Sequence, residues 1–277
     1  MLTAITRAVS PAIANCELTY LSRQRIDATK AMQQQKDYER CLADLGLKVI
    51  SLPSEPDYPD SVFVEDTAVV VDEVAVIPKM GAASRRREVE TIAPVIADYR
   101  PLKFITGNGT LEGGDVVMVG RKCFVGISTR TNVEGIAQLD AYLSPYDYQV
   151  IPMRVTGCLH LTTGFSYLGR QTVLANRSWV DVSGVHGFEI IDVPPEEPWA
   201  ANALLIDGVV ILTASSSRTA AMLRERGFDI RTVDVSELEK AEAGLTCMSI
   251  IFDGSKKIPH TPTTDSTEHG LTMSHKA

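Results

Sequence analysis

Five stretches of the chain each place a chemically capable side chain just ahead of an apolar run: Glu65 and Asp66, Glu112 and Asp115, His160, Asn202, and Cys247. From 66 to 115, 160, 202 and 247 the steps are 49, 45, 42 and 45 residues, so one such cluster opens each of five similar segments. If the five converge on one axis, their chemistry is coherent. A thiolate is a good nucleophile, and a neighbouring imidazolium or substrate cation lowers its pKa. A histidine can protonate a leaving amine and later activate water. A carboxylate can orient that histidine and stabilise its cation, and further carboxylates can grip a planar guanidinium through paired hydrogen bonds. A guanidinium is resonance-stabilised and resists water. Dividing its hydrolysis into thiolate attack and thiouronium hydrolysis replaces one high barrier with two lower ones. That chemistry requires no metal and no organic cofactor.

Each residue also has a purely structural reading. A lone cysteine before a strand is often a small buried hydrophobe. His160 can be a satisfied core histidine, Glu65-Asp66 a strand-entry turn, and Gly113-Gly114-Asp115 only a turn. Arg85-Arg86-Arg87 reads as a solvated helix start. Positive charge at a helix N-terminus nevertheless opposes the macrodipole, which favours a charged partner such as a carboxylate.

The elements that must position these groups show as a weak internal repeat. Residues 64–78, 112–126, 160–175 and 201–214 each read as two short apolar strands around a tight turn. The turns carry Asp72-Glu73, Gly120-Arg121, Gly169-Arg170 and Asp207-Gly208, which suits hairpins. A helix follows each: 84–99 capped by Ser84 and kinked or broken at Pro94, then one to 143 capped by Thr131 or Asn132. The third, 178–185, is short and weak, and the fourth runs from Ser215 or Ser216 to Gly227. Last strands follow at 102–106, 149–153, 188–192 and 228–233. A fifth unit assembles from both ends: strands 246–252 and 2–9, a helix over 27–45 stopped at Gly46, and a strand 47–52. One face of that helix takes Ala28, Ala31, Met32, Tyr38, Leu42 and Leu45. Joining the ends closes the ring and protects an edge strand. The expected fold is therefore one α/β domain over 1–253, a five-bladed pseudo-symmetric propeller of ββαβ units. From Gly254 to 277 the sequence turns polar, as a flexible tail would.

With 277 residues and 44% hydrophobic content, the chain can bury a sizeable core. A net charge of -8 argues against nucleic acid or an anionic membrane as main partner, but not against a small cationic substrate. There is no apolar run of membrane-spanning length and no signal-peptide pattern. Five scattered cysteines fit a reducing, cytoplasmic compartment. Neither a CxxC pair nor an HExxH motif points to a metal, and the cysteines other than Cys247 read as structural or incidental. His260, His269 and His275 fall in the expected tail, which leaves His160 and His186 for the folded body.

The segments DSVFVEDTAVV (60–70), GAASRRREVE (81–90), GTLEGGDVVMVG (109–120), STRTNVEG (128–135), CLHLTTGFSYL (158–168) and GLTCMSI (244–250) together resemble dimethylarginine dimethylaminohydrolase. That family belongs to the guanidine-modifying penteins, and the resemblance covers roughly residues 2–253. It implies the five-unit propeller and hydrolysis of an Nω-methylated arginine to citrulline and a methylamine. By that resemblance Cys247 attacks the guanidinium carbon. His160, paired with Glu112, protonates the departing amine and then activates water. Asp66 with Glu65 binds the guanidinium, Arg85 and Arg130 hold the α-carboxylate, and Asp60 holds the α-amino group. Backbone carbonyls of Leu18, in a lid-like loop, and of Ala241 complete the amine site. A homodimer is implied in the same way. Thr162 stands where a Lys is common, and Glu242-Ala243 where an Asp and a Gly are usual; these changes bear on substrate preference. Arginine deiminases and amidinotransferases use similar residues on longer chains. A non-catalytic pentein, like the ribosome anti-association factors, would lack the Cys, His and carboxylate set.

Overall fold

The computed structural model describes residues 1–255 and Ile258. Its strands form five three-stranded sheets, with orders β3-β4-β5, β6-β7-β8, β9-β10-β11, β12-β13-β14 and β15-β1-β2. The first comprises β3 (Val69–Val70), β4 (Ala75–Ile77) and β5 (Leu102–Phe104); the second β6 (Val116–Val119), β7 (Lys122–Ile127) and β8 (Gln149–Arg154). The third comprises β9 (Phe165–Gly169), β10 (Thr172–Ala175) and β11 (Glu189–Asp192); the fourth β12 (Leu204–Ile206), β13 (Val209–Thr213) and β14 (Asp229–Val233). The fifth joins β15 (Ile250–Asp253) to β1 (Leu2–Arg7) and β2 (Lys48–Leu52), with Leu2 opposite Asp253 and Ile5 opposite Ile250. In every sheet the first two strands are antiparallel and the last two parallel. A parallel pair needs a crossover, and four of the five crossovers are helical. This is the expected ring of ββαβ units, closed by its two ends.

The helices are α1 (Ala28–Asp44), α2 (Val89–Ala97), α3 (Val133–Leu143), α4 (Leu161–Gly164), α5 (Ser217–Glu225) and α6 (Ser236–Glu239). Asp27 caps α1 through Lys30 N–H, and Asn132 caps α3 through Gly135 N–H. Ser216 flanks α5 without a side-chain capping bond. Glu197 takes that role from another strand connection, accepting from Arg218 and Thr219 N–H at 2.8 Å each. The helix over 84–99 begins later than expected, at Val89, after a 3-10 turn at Ala83–Arg85, and it retains Pro94 inside. Residues 178–185 hold no helix: Trp179 packs edge-on against Trp199, and Val180 bridges to Val155. On α1, Met32 faces solvent, while Gln34 is buried against α6, its amide bonded to Ser236 Oγ and Glu237 N–H. Residues 246–248 form a 3-10 turn, so β15 is shorter than the strand read from 246–252.

Such turns recur. A single turn of helix enters the first strand of each unit: Val64–Thr67, Gly113–Asp115, Leu161–Gly164, Pro198–Ala201 and Thr246–Met248. Each carries or adjoins one of the equally spaced functional residues. The repeat thus sets the side chains by a shared local conformation. The tail expected from Gly254 lies, beyond Ser255 and Ile258, outside the described residues.

Candidate active site

Two glycines let the second turn approach the other turns. A Cβ on Gly113 would sit 2.0 Å from Glu65 carbonyl oxygen; one on Gly114 would sit 2.5 Å from Asp66 Oδ1 and 2.8 Å from His160 Nδ1. The gap that they leave brings three units into contact. His160 Nε2 lies 2.7 Å from Glu112 Oε2, and His160 Nδ1 lies 3.5 Å from Asp66 Oδ1. Gly114 N–H donates to Asp66 Oδ1 at 3.1 Å. All three side chains are buried. Asp115, from the same Gly-Gly-Asp turn, accepts from Leu161 N–H at 2.9 Å and so anchors the segment that follows His160.

Burial disfavours charge on His160, but Asp66, the hydrogen bond to Glu112, and Asp115 outweigh it and push its pKa to about 9. Glu112 answers in the opposite direction. Burial opposes its ionisation, yet His160, Arg85 and Arg130 hold it near about 2. The pair is therefore an imidazolium and a carboxylate at neutral pH. Burial, then Asp66, pushes Glu65 up to about 8, and the hydroxyls of Thr246 (2.9 Å) and Thr162 (3.3 Å) donate to its Oε2.

Cys247 lies in the turn Thr246–Met248, with its Sγ 3.4 Å from Gly244 N–H. Burial, reinforced by Glu65 and Asp66, raises its thiol well above the ordinary range. Asn202 ties this turn to the next unit: its Oδ1 accepts from Thr246 N–H, and its Nδ2 donates to Thr246 Oγ1 and to Thr162 carbonyl oxygen.

A narrow pocket of about 20 Å³ is lined by Cys247, His160, Asp66, Asp60, Arg85, Arg130 and Ala241, together with Glu17, Phe63, Leu159, Glu242 and Ala243. Seven of the ten residues to which the resemblance gives a catalytic or substrate-binding role thus share one pocket. Glu112 reaches it through His160. Glu65 lines an adjoining cavity of about 340 Å³ instead, along with Thr162, Thr246 and Ser249. Leu18 packs half-buried against the core near α1.

Arg85 turns inward from its arginine run and is saturated. Its Nη1 donates to Asp66 at 2.5 Å, its Nη2 to Glu88 at 2.8 Å and to Phe63 carbonyl oxygen at 3.1 Å, and its Nε to Glu88 at 3.1 Å. The charged partner that the macrodipole argument called for is thus a pair of carboxylates. Arg130 is less committed. Its Nη2 donates to Glu17 at 3.4 Å, and its buried Nη1 has no hydrogen-bond partner among the described residues.

Glu17 escaped the sequence reading, and Glu242 entered it only as a departure from the family's pattern. Glu242, in the left-handed region at φ 59°, accepts on one oxygen from Thr19, Tyr20 and Leu21 N–H at 2.9, 2.5 and 2.5 Å. It holds the loop over the pocket. Glu17 enters the pocket from that same loop. Both lie in irregular backbone, where no periodicity marks them. Glu88 had a signal, because three residues after Arg85 is the spacing of facing side chains on a helical turn.

Asp66, Glu112 and His160 each offer a ligand atom within 4.8 Å of the others. A cation there would have to break the His160–Glu112 contact and would face the Arg85 guanidinium on Asp66. The arrangement suits acid–base and thiol chemistry on a cationic substrate better than metal binding. No helix among the described residues is long and apolar enough to cross a membrane.

The family model for N,N dimethylarginine dimethylhydrolase, eukaryotic, matches residues 17–252. The N(G),N(G)-dimethylarginine dimethylaminohydrolase of Pseudomonas aeruginosa is 37% identical over 228 residues, covering 82% of this chain and 90% of that protein. Its Streptomyces coelicolor counterpart is 34% identical over 248 residues, covering 89% and 95%. A structure of a cysteine-to-serine mutant of the Pseudomonas aeruginosa protein, complexed with citrulline, superposes with a TM-score of 0.86 at 34% identity. It covers 91% of this chain and 100% of that one. On sequence and fold together, this chain belongs to the dimethylarginine dimethylaminohydrolase family.

Proposed function

We propose that the chain hydrolyses an Nω-methylated arginine to citrulline and a methylamine through a covalent intermediate on Cys247. The observation that carries this reading is the buried His160–Glu112 pair, 2.7 Å apart, in one pocket with Cys247 and Asp66. Family membership supplies the substrate class.

The resting thiol is protonated, because burial and two carboxylates oppose a thiolate. A guanidinium entering beside Asp66 and Glu65 reverses that field, so substrate and nucleophile activate one another. The thiol proton leaves to solvent and Cys247 Sγ bonds to the guanidinium carbon. His160 gives its proton to the substituted nitrogen, the C–N bond breaks, and dimethylamine departs. The neutral His160 then takes a proton from water, the resulting hydroxide adds to the thiouronium carbon, and the C–S bond breaks to give citrulline. Glu112 stabilises the imidazolium at both ends of this cycle. Arg130, with its uncommitted Nη1, takes the substrate α-carboxylate; Arg85 contributes fixed positive charge beside it. Asp60 and the backbone carbonyls of Leu18 and Ala241 take the α-amino group. The cycle as written uses no metal or cofactor. Five unpaired cysteines support a reducing, cytoplasmic setting. A homodimer is carried over from the family alone and is checked by sedimentation.

The test is product analysis with asymmetric dimethylarginine and, separately, with arginine. Citrulline plus dimethylamine from the first, lost in Cys247→Ser, is the expected result. Citrulline plus ammonia from arginine alone would make the chain a deiminase, and no product from either would remove the substrate assignment.

A further inference from the structure

Glu17 occupies its part of the pocket in a specific way. Its backbone N–H donates to both oxygens of Asp60, at 3.3 and 3.1 Å, and its carboxylate reaches Arg130 Nη2 at 3.4 Å. Ser84 Oγ donates to the other carboxylate oxygen. One residue of the loop therefore presents an N–H and a carboxylate to the two groups assigned above to the substrate's α-amino and α-carboxylate ends. We propose that Glu17 is a resident competitor for the amino-acid head of the substrate, which must displace it, and that it thereby sets affinity for ligands bearing an α-carboxylate. This inference rests on the assignment of Arg130 and Asp60 to the substrate head.

Three observations support it. The pocket's cavity volume, about 20 Å³, is close to the roughly 10–15 Å³ that a single water needs, so an arginine-sized molecule enters only if the loop moves. The resident contact is also an inferior version of the one that would replace it. It is single, long, and 40% exposed on the Glu17 side, whereas a guanidinium fork binds carboxylate best through two parallel bonds. Finally, Arg130 Nη1 is buried with no hydrogen-bond partner among the described residues, 3.6 Å from Glu112, and offers the second arm of that fork. A ligand carboxylate would satisfy it, and Glu17 does not.

A competitor lowers apparent affinity by the fraction of molecules in which it occupies the site. Half-exposed ion pairs of this kind change such equilibria by a factor of roughly 2 to 5. The experiment uses the full chain carrying Cys247→Ser, with and without Glu17→Gln, and measures citrulline binding by calorimetry. Agmatine, a guanidine that has no α-carboxylate, serves as the comparison ligand. Citrulline should bind roughly 2- to 5-fold more tightly to the Glu17→Gln protein, with no such gain for agmatine. In the enzyme that retains Cys247, the same substitution should lower KM for dimethylarginine, the gain entering through KM rather than kcat. Unchanged or weaker citrulline binding, an equal gain for agmatine, or no citrulline binding to either protein overturns the proposal. Tighter citrulline binding in a chain that makes no citrulline from dimethylarginine would uphold the competition and sink only the reaction assignment.

Discussion

Replacing Glu112 by Gln removes one charge and almost no volume, and its effect can be worked through His160. Burial favours the neutral imidazole, and the countervailing influences are Asp66, the hydrogen bond to Glu112, Asp115 and the Glu112 charge. The substitution removes two of the four. Geometry adds to this. A Gln carbonyl that keeps the 3.1 Å bond from Ala82 N–H turns its NH2 toward His160 Nε2, and that nitrogen must then accept. His160 should fall from about 9 to near its ordinary 6.5 or below. A drop of about 2.5 units is about 3.4 kcal/mol, and at pH 8 it cuts the protonated fraction about 30-fold. The acid that expels the amine is lost in that proportion. The assay is citrulline formation from dimethylarginine between about pH 5.5 and 9.5, because the profile of kcat/KM reports groups of the free enzyme. The alkaline limb, at about 9 in the natural chain, should move down by about 2.5 pH units. An NMR titration of the imidazole, assigned by its loss in His160→Gln, should show the same move. An alkaline limb that stays near 9 in Glu112→Gln, with His160 titrating as before, would refute the assignment of Glu112 as the group that keeps His160 charged.

Three further outcomes follow from the same geometry. Glu65 is raised from 4.5 to about 8, so the folded state binds a proton that the unfolded state has released. The natural chain should therefore lose stability as pH climbs from 4.5 to about 8. Glu65→Gln, which keeps acceptors for both Thr hydroxyls, should recover roughly 2–4 kcal/mol at pH 7 in thermal melts, with the difference vanishing below the unfolded carboxylate range. Gly114→Ala puts a Cβ 2.5 Å from Asp66 Oδ1 and 2.8 Å from His160 Nδ1. It should cost about 1–3 kcal/mol in denaturant unfolding and suppress turnover far more than that loss explains, whereas wild-type kinetics would mean that the turn has another way to relax. Cys247, its thiol raised by burial and carboxylates, should react slowly with neutral iodoacetamide at pH 7 and faster with an electrophile carrying an amidinium, judged by peptide mapping. Equal rates would show that the local field does not govern the thiol.

Much of the architecture was legible because it repeats. The hairpin turns, the stop at Gly46 and the closure of β15 on β1 follow from local chemistry spaced at near-equal intervals. The exceptions have local causes. Residues 178–185 are held by the Trp179–Trp199 contact rather than by helical bonding, and the cap of α5 comes from Glu197, 21 residues before Arg218 and invisible to a local pattern. The site was legible where its residues open a unit, as His160 and Cys247 do. Glu17 and Glu242 sit in loops whose contacts span 113 and more than 220 residues of chain, and nothing in their neighbourhoods signals such partners. Arg85 was singled out as a substrate contact, while the structure spends its donors on Asp66, Glu88 and two carbonyls, because Asp66 and Glu88 together need one buried cation.

The central claim is that Cys247 carries the amidine carbon of a methylated arginine midway through turnover. Rapid acid quenching during steady-state reaction with dimethylarginine, followed by peptide mass spectrometry, addresses it directly. The account predicts an adduct on the Cys247 peptide equal to the substrate less dimethylamine, and absent in Cys247→Ser. Turnover to citrulline with the Cys247 peptide unmodified at every quench time, or an adduct on any other residue, would contradict it.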